Sequence, residues 1–157
     1  MVGFSHIDES GRARMVDVTE KQSTLRVARA RALVKMSPQT LIQIQNRSLA
    51  KGDPLEAARI AGILAAKNTA QLIPLCHPLV LTHVQVQCDI LKQGIEIEAS
   101  VTAEGKTGVE MEALVAVSIA GLTIYDMCKA VDREIVISDI RLVEKSGGRS
   151  GHYQRKE

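Results

Sequence analysis

Residues Gly105 to Val131 read GKTGVEMEALVAVSIAGLTIYDMCKAV, and this stretch decides the fold of the chain. It predicts one long helix that is apolar on nearly all sides, which is the pattern of a buried helix. The same stretch contains four charged side chains: Glu110, Glu112, Asp126 and Lys129. Burying an unpaired charge costs several kcal/mol, so we expect these four groups to be paired or functional.

The flanking sequence predicts strands and shorter helices. Residues 80–91 and 95–103 alternate apolar and polar side chains around a short turn, which indicates a β-hairpin. Asp53-Pro54 marks a helix start, because Asp53 can cap the helix and Pro54 suits its first position. That helix is expected to end near residue 73. Strands are also predicted at 25–36 and 135–144, and a short helix is predicted from Ser37-Pro38.

The predicted order is β-α-α-β-β-α-β in a single domain, residues 1–157. Split βαβ units in this order form a ferredoxin-like antiparallel sheet with helices packed on one face, so the predicted fold class is α+β. Residues 1–23 are expected to be an N-terminal arm with little structure of its own. The tail, 146–157, is expected to be a loop that is flexible or ordered by substrate.

Composition excludes several functional classes. The net charge is only +2 and only three residues are aromatic, which disfavours nucleic-acid and membrane partners. Three cysteines without CxxC spacing indicate free thiols, and the first residues lack a signal pattern, so a cytoplasmic protein is predicted. An aliphatic core with wide apolar faces favours oligomerisation.

Asp126 and Lys129 are three residues apart and therefore neighbours on a helix. They could form a simple surface ion pair. The apolar residues around them favour a second interpretation, a partly buried pair whose shifted pKa values suit proton transfer.

Glu110 and Glu112 lie in the first turns of the predicted helix, where the helix dipole stabilises negative charge. They could also accept hydrogen bonds from a polar ring such as guanine or a pterin. Glu112 and Asp126 are fourteen residues apart, about 21 Å along a helix. We therefore expect either a site between subunits or an extended ligand.

Leu75-Cys76-His77 lies between Pro74 and Pro78, which makes the turn rigid. Such a turn could bind metal, present a nucleophile or contact substrate. No spacing of metal ligands accompanies it, and adjacent Cys and His side chains seldom face each other. Substrate contact through His77 is favoured, and no metal is predicted.

Basic residues provide candidate phosphate contacts. Gly105-Lys106-Thr107 resembles the end of a phosphate-binding P-loop, but Ser100 stands where that motif needs glycine. Lys51 precedes a helix start, and Ser146-Gly147-Gly148 could form an amide nest. Lys67, Lys145 and Arg149 are further candidates. Together they suggest a polyphosphate ligand.

Three long segments identify the chain as similar to the MoaC family of molybdenum cofactor biosynthesis. They read KGDPLEAARIAGILAAKNTAQLIPLCHPL, GKTGVEMEALVAVSIAGLTIYDMCKAV and KSGGRSG, and the similarity extends from about Met15 to Gly151. The resemblance implies a lyase that converts a cyclised dihydro-GTP into cyclic pyranopterin monophosphate and releases pyrophosphate. It also implies a homohexamer, a trimer of dimers, with sites at subunit interfaces. A radical S-adenosylmethionine enzyme would supply the substrate.

The resemblance also assigns roles to residues. It implies that Asp126 is catalytic, with Lys129 beside it. The substrate contacts it implies are Leu75, Cys76, His77, Met111 and Glu112, and Lys51 and Lys67 match lysines associated with the site. No cofactor is expected, although Mg²⁺ could accompany the phosphates. Two alternatives remain open: an inert oligomer that only binds nucleotides or a partner, and a small nucleotide hydrolase.

Overall fold

The computed structural model describes residues 6–8 and 10–156, so residues 1–5 and 9 of the predicted arm and residue 157 of the tail lie outside it. The elements in chain order are β1 (Thr24–Lys35), α1 (Pro38–Gln45), α2 (Pro54–Lys67), α3 (Thr69–Leu72), β2 (Leu81–Leu91), β3 (Gly94–Gly105), α4 (Glu110–Cys128), β4 (Val136–Ser146) and β5 (Tyr153–Gln154). The predicted α+β class and element order are confirmed, with the short elements α3 and β5 added.

The strands form one antiparallel sheet in the order β2-β3-β1-β4-β5. Alternate residues of the central strand β1 face the helices, and Ala28, Ala30, Ala32 and Val34 on that face are completely buried. These small side chains let α4 lie close to the sheet. A Cβ atom at Gly121 of α4 would be only 3.2 Å from a methyl group of Ile137.

Helix α4 is the buried rod that the sequence predicts, but it is shorter than the stretch from Gly105 to Val131, because β3 continues to Gly105. It packs against β1, β3, β4 and α2. Its contact with α2 is close: a Cβ atom at Gly62 would be 3.0 Å from the Ala116 carbonyl oxygen. Among the described residues, α4 alone is long and apolar enough to cross a membrane. Its packing is that of a core helix.

The predicted helix starts are confirmed. The Ser37 hydroxyl accepts a hydrogen bond from the Thr40 N–H at 3.3 Å, and the Asp53 carboxylate accepts from Leu55 N–H at 2.9 Å. The predicted end of the second helix near residue 73 is wrong, because α2 ends at Lys67. The Thr69 hydroxyl donates to the carbonyls of Ala65 and Ala66, which competes with the helical hydrogen bonds there.

The expectation that the whole tail is loop is also wrong. Strand β4 continues to Ser146, and β5 pairs with it through Glu144–Gln154 and Lys145–Tyr153. The Arg155 N–H then donates to the Val143 carbonyl at 2.8 Å. This pairing satisfies backbone groups that an open sheet edge would leave exposed. Residues 147–152 consequently form a closed loop between β4 and β5.

Candidate active site

A cavity of about 930 Å³ opens on the helix side of the sheet, where β1 begins and α4 starts. It is lined by residues from segments 16–22, 75–79, 106–112 and 145–150, together with Arg26. Its volume falls in the range of small-molecule sites. The predicted arm therefore supplies a wall of the cavity, with Val16 and Val18 half-buried against it.

The turn before β2 brings Leu75, Cys76 and His77 into this cavity, and their contact with substrate stays a prediction. Burial, followed by the nearby charge of Glu112, raises the pKa of the Cys76 thiol. A thiol with a raised pKa carries little thiolate at neutral pH, so Cys76 is poorly suited to be a nucleophile. No group of three or more metal-binding side chains occurs within 6–8 and 10–156. The absence of a metal requirement stays a prediction.

The start of α4 contributes two carboxylates and a thioether. The side chains of Glu110, Met111 and Glu112 all line the cavity. Glu112 is only 4% exposed, and burial, together with the charge of Glu110, raises its pKa. Glu110 instead accepts a hydrogen bond from Lys145 Nζ at 2.9 Å. The two acids therefore differ: one is paired with a cation, and the other is a buried acceptor.

Lysine and arginine side chains from several elements line the cavity, namely Lys21, Arg26, Lys106, Lys145 and Arg149, the last of which the sequence predicts as a phosphate contact. Lys145 Nζ, besides its bond to Glu110, donates to the Ser150 hydroxyl at 2.9 Å. Lys106 Nζ donates to the Thr19 carbonyl at 2.7 Å and so connects the arm to the cavity wall. Arg26 donates from Nε to the Gly105 carbonyl at 3.2 Å. These positions suit contacts to phosphate oxygens.

The loop after β4 depends on two glycines. Gly147 and Gly148 have positive φ angles of 98° and 71°. A Cβ atom at Gly147 would lie 2.1 Å from the Leu25 carbonyl oxygen, and one at Gly148 would overlap the Arg26 guanidinium. The loop can therefore lie against the backbone of β1 only because Gly147 lacks a side chain, whereas a side chain at Gly148 would displace the Arg26 guanidinium.

Lys51, Asp126 and Lys129 form a second group, which we call the charged cluster. Lys129 Nζ lies 2.7 Å from Asp126 Oδ1, and Lys51 Nζ lies 3.2 Å from Asp126 Oδ2. Lys51 also donates to the Asp126 backbone carbonyl at 2.8 Å. The hydrogen bond from Lys129, followed by the one from Lys51, lowers the pKa of Asp126, and the bond to Asp126 raises the pKa of Lys129. The cluster thus carries two ammonium groups around one carboxylate.

The expectation that Asp126 and Lys129 are partly buried is wrong for the single chain. Their side chains are 59% and 51% exposed, and that of Lys51 is 45% exposed. Asp126 lies in the last turn of α4 and Lys129 caps its end, while Ile124 and Cys128, on either side of Asp126 in the sequence, are completely buried. The apolar neighbours in the sequence belong to other faces of the helix, since a helix turns about 100° per residue.

The cavity and the charged cluster lie at opposite ends of α4. The cavity contains six of the predicted substrate contacts but none of the three cluster residues. Fourteen residues of continuous helix between Glu112 and Asp126 correspond to about 21 Å. Lys67 lies in neither group; it lines a pocket of about 110 Å³ that shares Glu112 with the cavity.

Sequence reasoning missed Arg26 and the cavity wall formed by segment 16–22. For Arg26 the sequence did contain a signal. It shares the helix-facing side of β1 with Ala28, Ala30, Ala32 and Val34, and a charged residue on an otherwise apolar face indicates a site. Segment 16–22 has no such periodic pattern, so the sequence predicts only an arm there.

The sequence was compared with models of known protein families. Residues 15–148 match the model of the MoaC family. The chain belongs to the MoaC family. The match includes the predicted catalytic and substrate-binding residues, Arg26 and the arm segment 16–22, and it ends one residue before the predicted phosphate contact Arg149.

Curated relatives of the MoaC chain are similar over nearly their whole length. A protein of Roseiflexus sp. (strain RS-1) is 61% identical over 155 residues, which cover 98% of both chains. One from Heliobacterium modesticaldum is 59% identical over 98% of both chains, and one from Desulfitobacterium hafniense is 58% identical over 98% of this chain and 95% of the relative. All three are named cyclic pyranopterin monophosphate synthase. The predictions of the family and of an enzyme are therefore confirmed.

Proposed function

We propose that this protein converts a cyclised dihydroguanosine triphosphate into cyclic pyranopterin monophosphate and releases pyrophosphate, as a lyase in molybdenum cofactor biosynthesis. The observation that carries the proposal is the cavity, where the segments 75–77 and 110–112 meet Arg26, Lys106 and Lys145. A guanine-derived triphosphate needs hydrogen-bond acceptors for its ring and cations for its phosphates, and this cavity has both.

In this proposal the ring of the substrate binds at the start of α4. Glu112 is buried, so its ionised form is costly unless a donor is close. The N–H groups of a guanine or pterin ring are such donors, and they would lower the pKa of Glu112 again. Cys76, His77 and Met111 also line the cavity, and in this proposal they would enclose the ring.

The triphosphate binds among the cations of the cavity. Lys106 donates to a neutral backbone carbonyl, and Lys145 to the Glu110 carboxylate. A phosphate oxygen is a charged acceptor for either ammonium, and hydrogen bonds to charged acceptors are about twice as strong as those between neutral groups. Arg26 presents a planar guanidinium beside them. When a sugar hydroxyl attacks the α-phosphorus, the bond to the pyrophosphate breaks, and these cations stabilise the charge that develops on the leaving group.

The charged cluster of a second copy completes the site. The cluster is about 21 Å from Glu112 along α4, so one chain does not bring both groups to a ring-sized reaction centre. We therefore propose that the cluster of one copy faces the cavity of a neighbour. Docking against that copy would also bury the exposed cluster. The resemblance to the MoaC family implies that the assembly is a homohexamer, a trimer of dimers.

The cluster supplies acid–base catalysis. Opening the imidazole-like ring, closing the pterin ring and forming the cyclic phosphate each move protons. Asp126 is a carboxylate that can accept a proton, and Lys129 is an ammonium that can donate one. In the single chain the lowered pKa of Asp126 and the raised pKa of Lys129 make each group weaker in that role, contrary to the expected shifts. Burial against a neighbouring copy would move both pKa values back towards neutrality. None of these steps changes the oxidation state of the substrate. A radical S-adenosylmethionine enzyme would make the cyclised substrate, and the reaction would take place in the cytoplasm without nucleic acid or membrane.

The direct experiment is to incubate the purified protein with the cyclised intermediate and to measure pyrophosphate and the pterin product. We expect one pyrophosphate per product, with and without added Mg²⁺. Binding without conversion would instead favour the inert oligomer. Turnover of GTP without the intermediate would favour a nucleotide hydrolase. Either of these results would contradict the proposal.

A further inference from the structure

Asp132 lies three residues beyond Lys129, and the residue is only 9% exposed. Its Oδ2 atom accepts hydrogen bonds from the Ser37 N–H and the Thr40 hydroxyl, both at 2.9 Å. Its Oδ1 atom accepts from the Glu134 N–H at 3.1 Å. These donors, the Ser37 N–H first among them, hold the pKa of Asp132 below its usual value. Asp132 is therefore an ionised carboxylate inside a complete set of donors.

The hydrogen bonds of Asp132 join two segments that are distant in the sequence. The Asp132 N–H donates to the Cys128 carbonyl at 3.0 Å, so its backbone closes the end of α4, which carries Asp126 and Lys129. Its carboxylate holds Ser37 and Thr40 at the start of α1. Helix α1 leads directly into the loop that carries Lys51.

The charged cluster needs such support, because its own contacts are exposed. Ion pairs between exposed side chains contribute little to stability and do not hold a geometry by themselves. Catalytic groups, however, work only when neighbouring residues keep them within about 0.5 Å of the productive arrangement. Only four polar or charged side chains are buried in the described parts of the chain, namely Thr40, Thr69, Glu112 and Asp132. Two of the four, Thr40 and Asp132, form the link between α1 and α4.

We propose that Asp132 is a positioning residue that sets the place of Lys51 relative to Asp126 and Lys129. It acts through the frame that it builds between α1 and the end of α4, and it touches no substrate. This inference rests on the proposed catalytic function of the charged cluster. It adds a residue that neither the sequence pattern nor the contacts of the cavity identified.

The test is Asp132→Asn, combined with Lys51→Ala. An asparagine has one carbonyl oxygen and one NH₂ group, so it cannot accept from Ser37 and Thr40 on one side and from Glu134 on the other. We expect kcat to fall about tenfold with KM changed less than about twofold, as for residues that orient a catalytic group. In the Lys51→Ala background the same substitution should change kcat less than about twofold, because the group being positioned is absent.

A crystal structure of Asp132→Asn provides a readout that does not depend on turnover. We expect Lys51 Nζ to leave its position 3.2 Å from Asp126 Oδ2. An unchanged Lys51 position, an unchanged kcat, or an equal loss of kcat with and without Lys51 would each overturn the inference. If the unmodified protein releases no pyrophosphate, the proposed function fails, and the crystal structure then shows separately whether Asp132 holds Lys51.

Thr69→Val is the matched control. Thr69 is buried like Thr40, but its hydroxyl donates to carbonyls of α2, away from the charged cluster. We expect this variant to be less stable and to keep its kcat. A loss of kcat equal to that of Asp132→Asn would mean that general destabilisation explains both variants, and the positioning role would be rejected.

Discussion

Asp126→Asn is expected to lower kcat at least about a hundredfold, the usual size of a general acid–base contribution, while the fold and the assembly remain. Asparagine has nearly the size of aspartate but does not accept a proton at neutral pH. Lys129→Ala is expected to have a similar effect, because it removes the ammonium that lies 2.7 Å from the Asp126 carboxylate. The measurement is pyrophosphate release from the cyclised intermediate, with circular dichroism and gel filtration to verify the fold and the assembly.

Matched controls exist for both substitutions. Asp89→Asn and Lys92→Ala make the same chemical changes at exposed positions on β2 and in the turn after it, and should retain full activity. The double variant of Asp126 and Lys129 should lose little more than either single variant, because residues that act as a unit are not additive. Near-normal rates in both single variants would remove the charged cluster from the mechanism.

Gly147→Ala is expected to lower kcat/KM about thirtyfold, which corresponds to the loss of one hydrogen bond to a charged group worth about 2 kcal/mol, because the loop beside the cavity is displaced. The added Cβ atom would stand 2.1 Å from the Leu25 carbonyl oxygen, and backbone of a central strand cannot yield as a flexible side chain does. The loop must then move away from β1, together with Ser150, which accepts a hydrogen bond from Lys145. Most of the loss should appear in KM, because the phosphate contacts bind the substrate.

Gly151→Ala is the control that distinguishes the steric clash at position 147 from the backbone strain that both substitutions cause. Gly151 also has a positive φ angle, 63°, but nothing lies within 4 Å of its added Cβ atom. Both variants carry the cost of about 1 kcal/mol for a side chain in the left-handed region, and only Gly147→Ala displaces the loop. We expect Gly151→Ala to keep its KM. Equal KM values for the two variants would contradict a role of this loop in binding.

The sequence predicts the fold well because local patterns and burial agree. The two-residue alternation in β2 and β3 and the caps at Ser37 and Asp53 are all found where they were expected. The errors occur where local signals are weak or compete. Thr69 interrupts a helical pattern through its own hydroxyl, and β5 has only two residues, whose pairing depends on the free edge of β4.

The sequence predicts those parts of the candidate site whose residues are neighbours in the chain. Neighbours in the sequence, such as Leu75, Cys76 and His77, arrive in the cavity together. Arg26 and Lys145 come from distant strands, and only the pairing of β1 with β4 brings them to one wall. The exposure of Asp126 depends on the rotation of α4 about its axis. Composition does not determine that rotation, since apolar residues surround Asp126 in the sequence on both sides.

In the proposed assembly, one reaction centre combines the cavity of one copy with the charged cluster of another. The decisive experiment mixes two inactive variants, Glu112→Ala in the cavity and Asp126→Asn in the cluster, and purifies assemblies that contain both. Random mixing would place an intact cavity beside an intact cluster in about a quarter of the sites, since half of the copies retain each part. We predict that pyrophosphate release recovers to about that fraction of the unmodified rate. Mixed assemblies as inactive as either variant alone would contradict the account, because each chain would then use its own cavity and its own cluster.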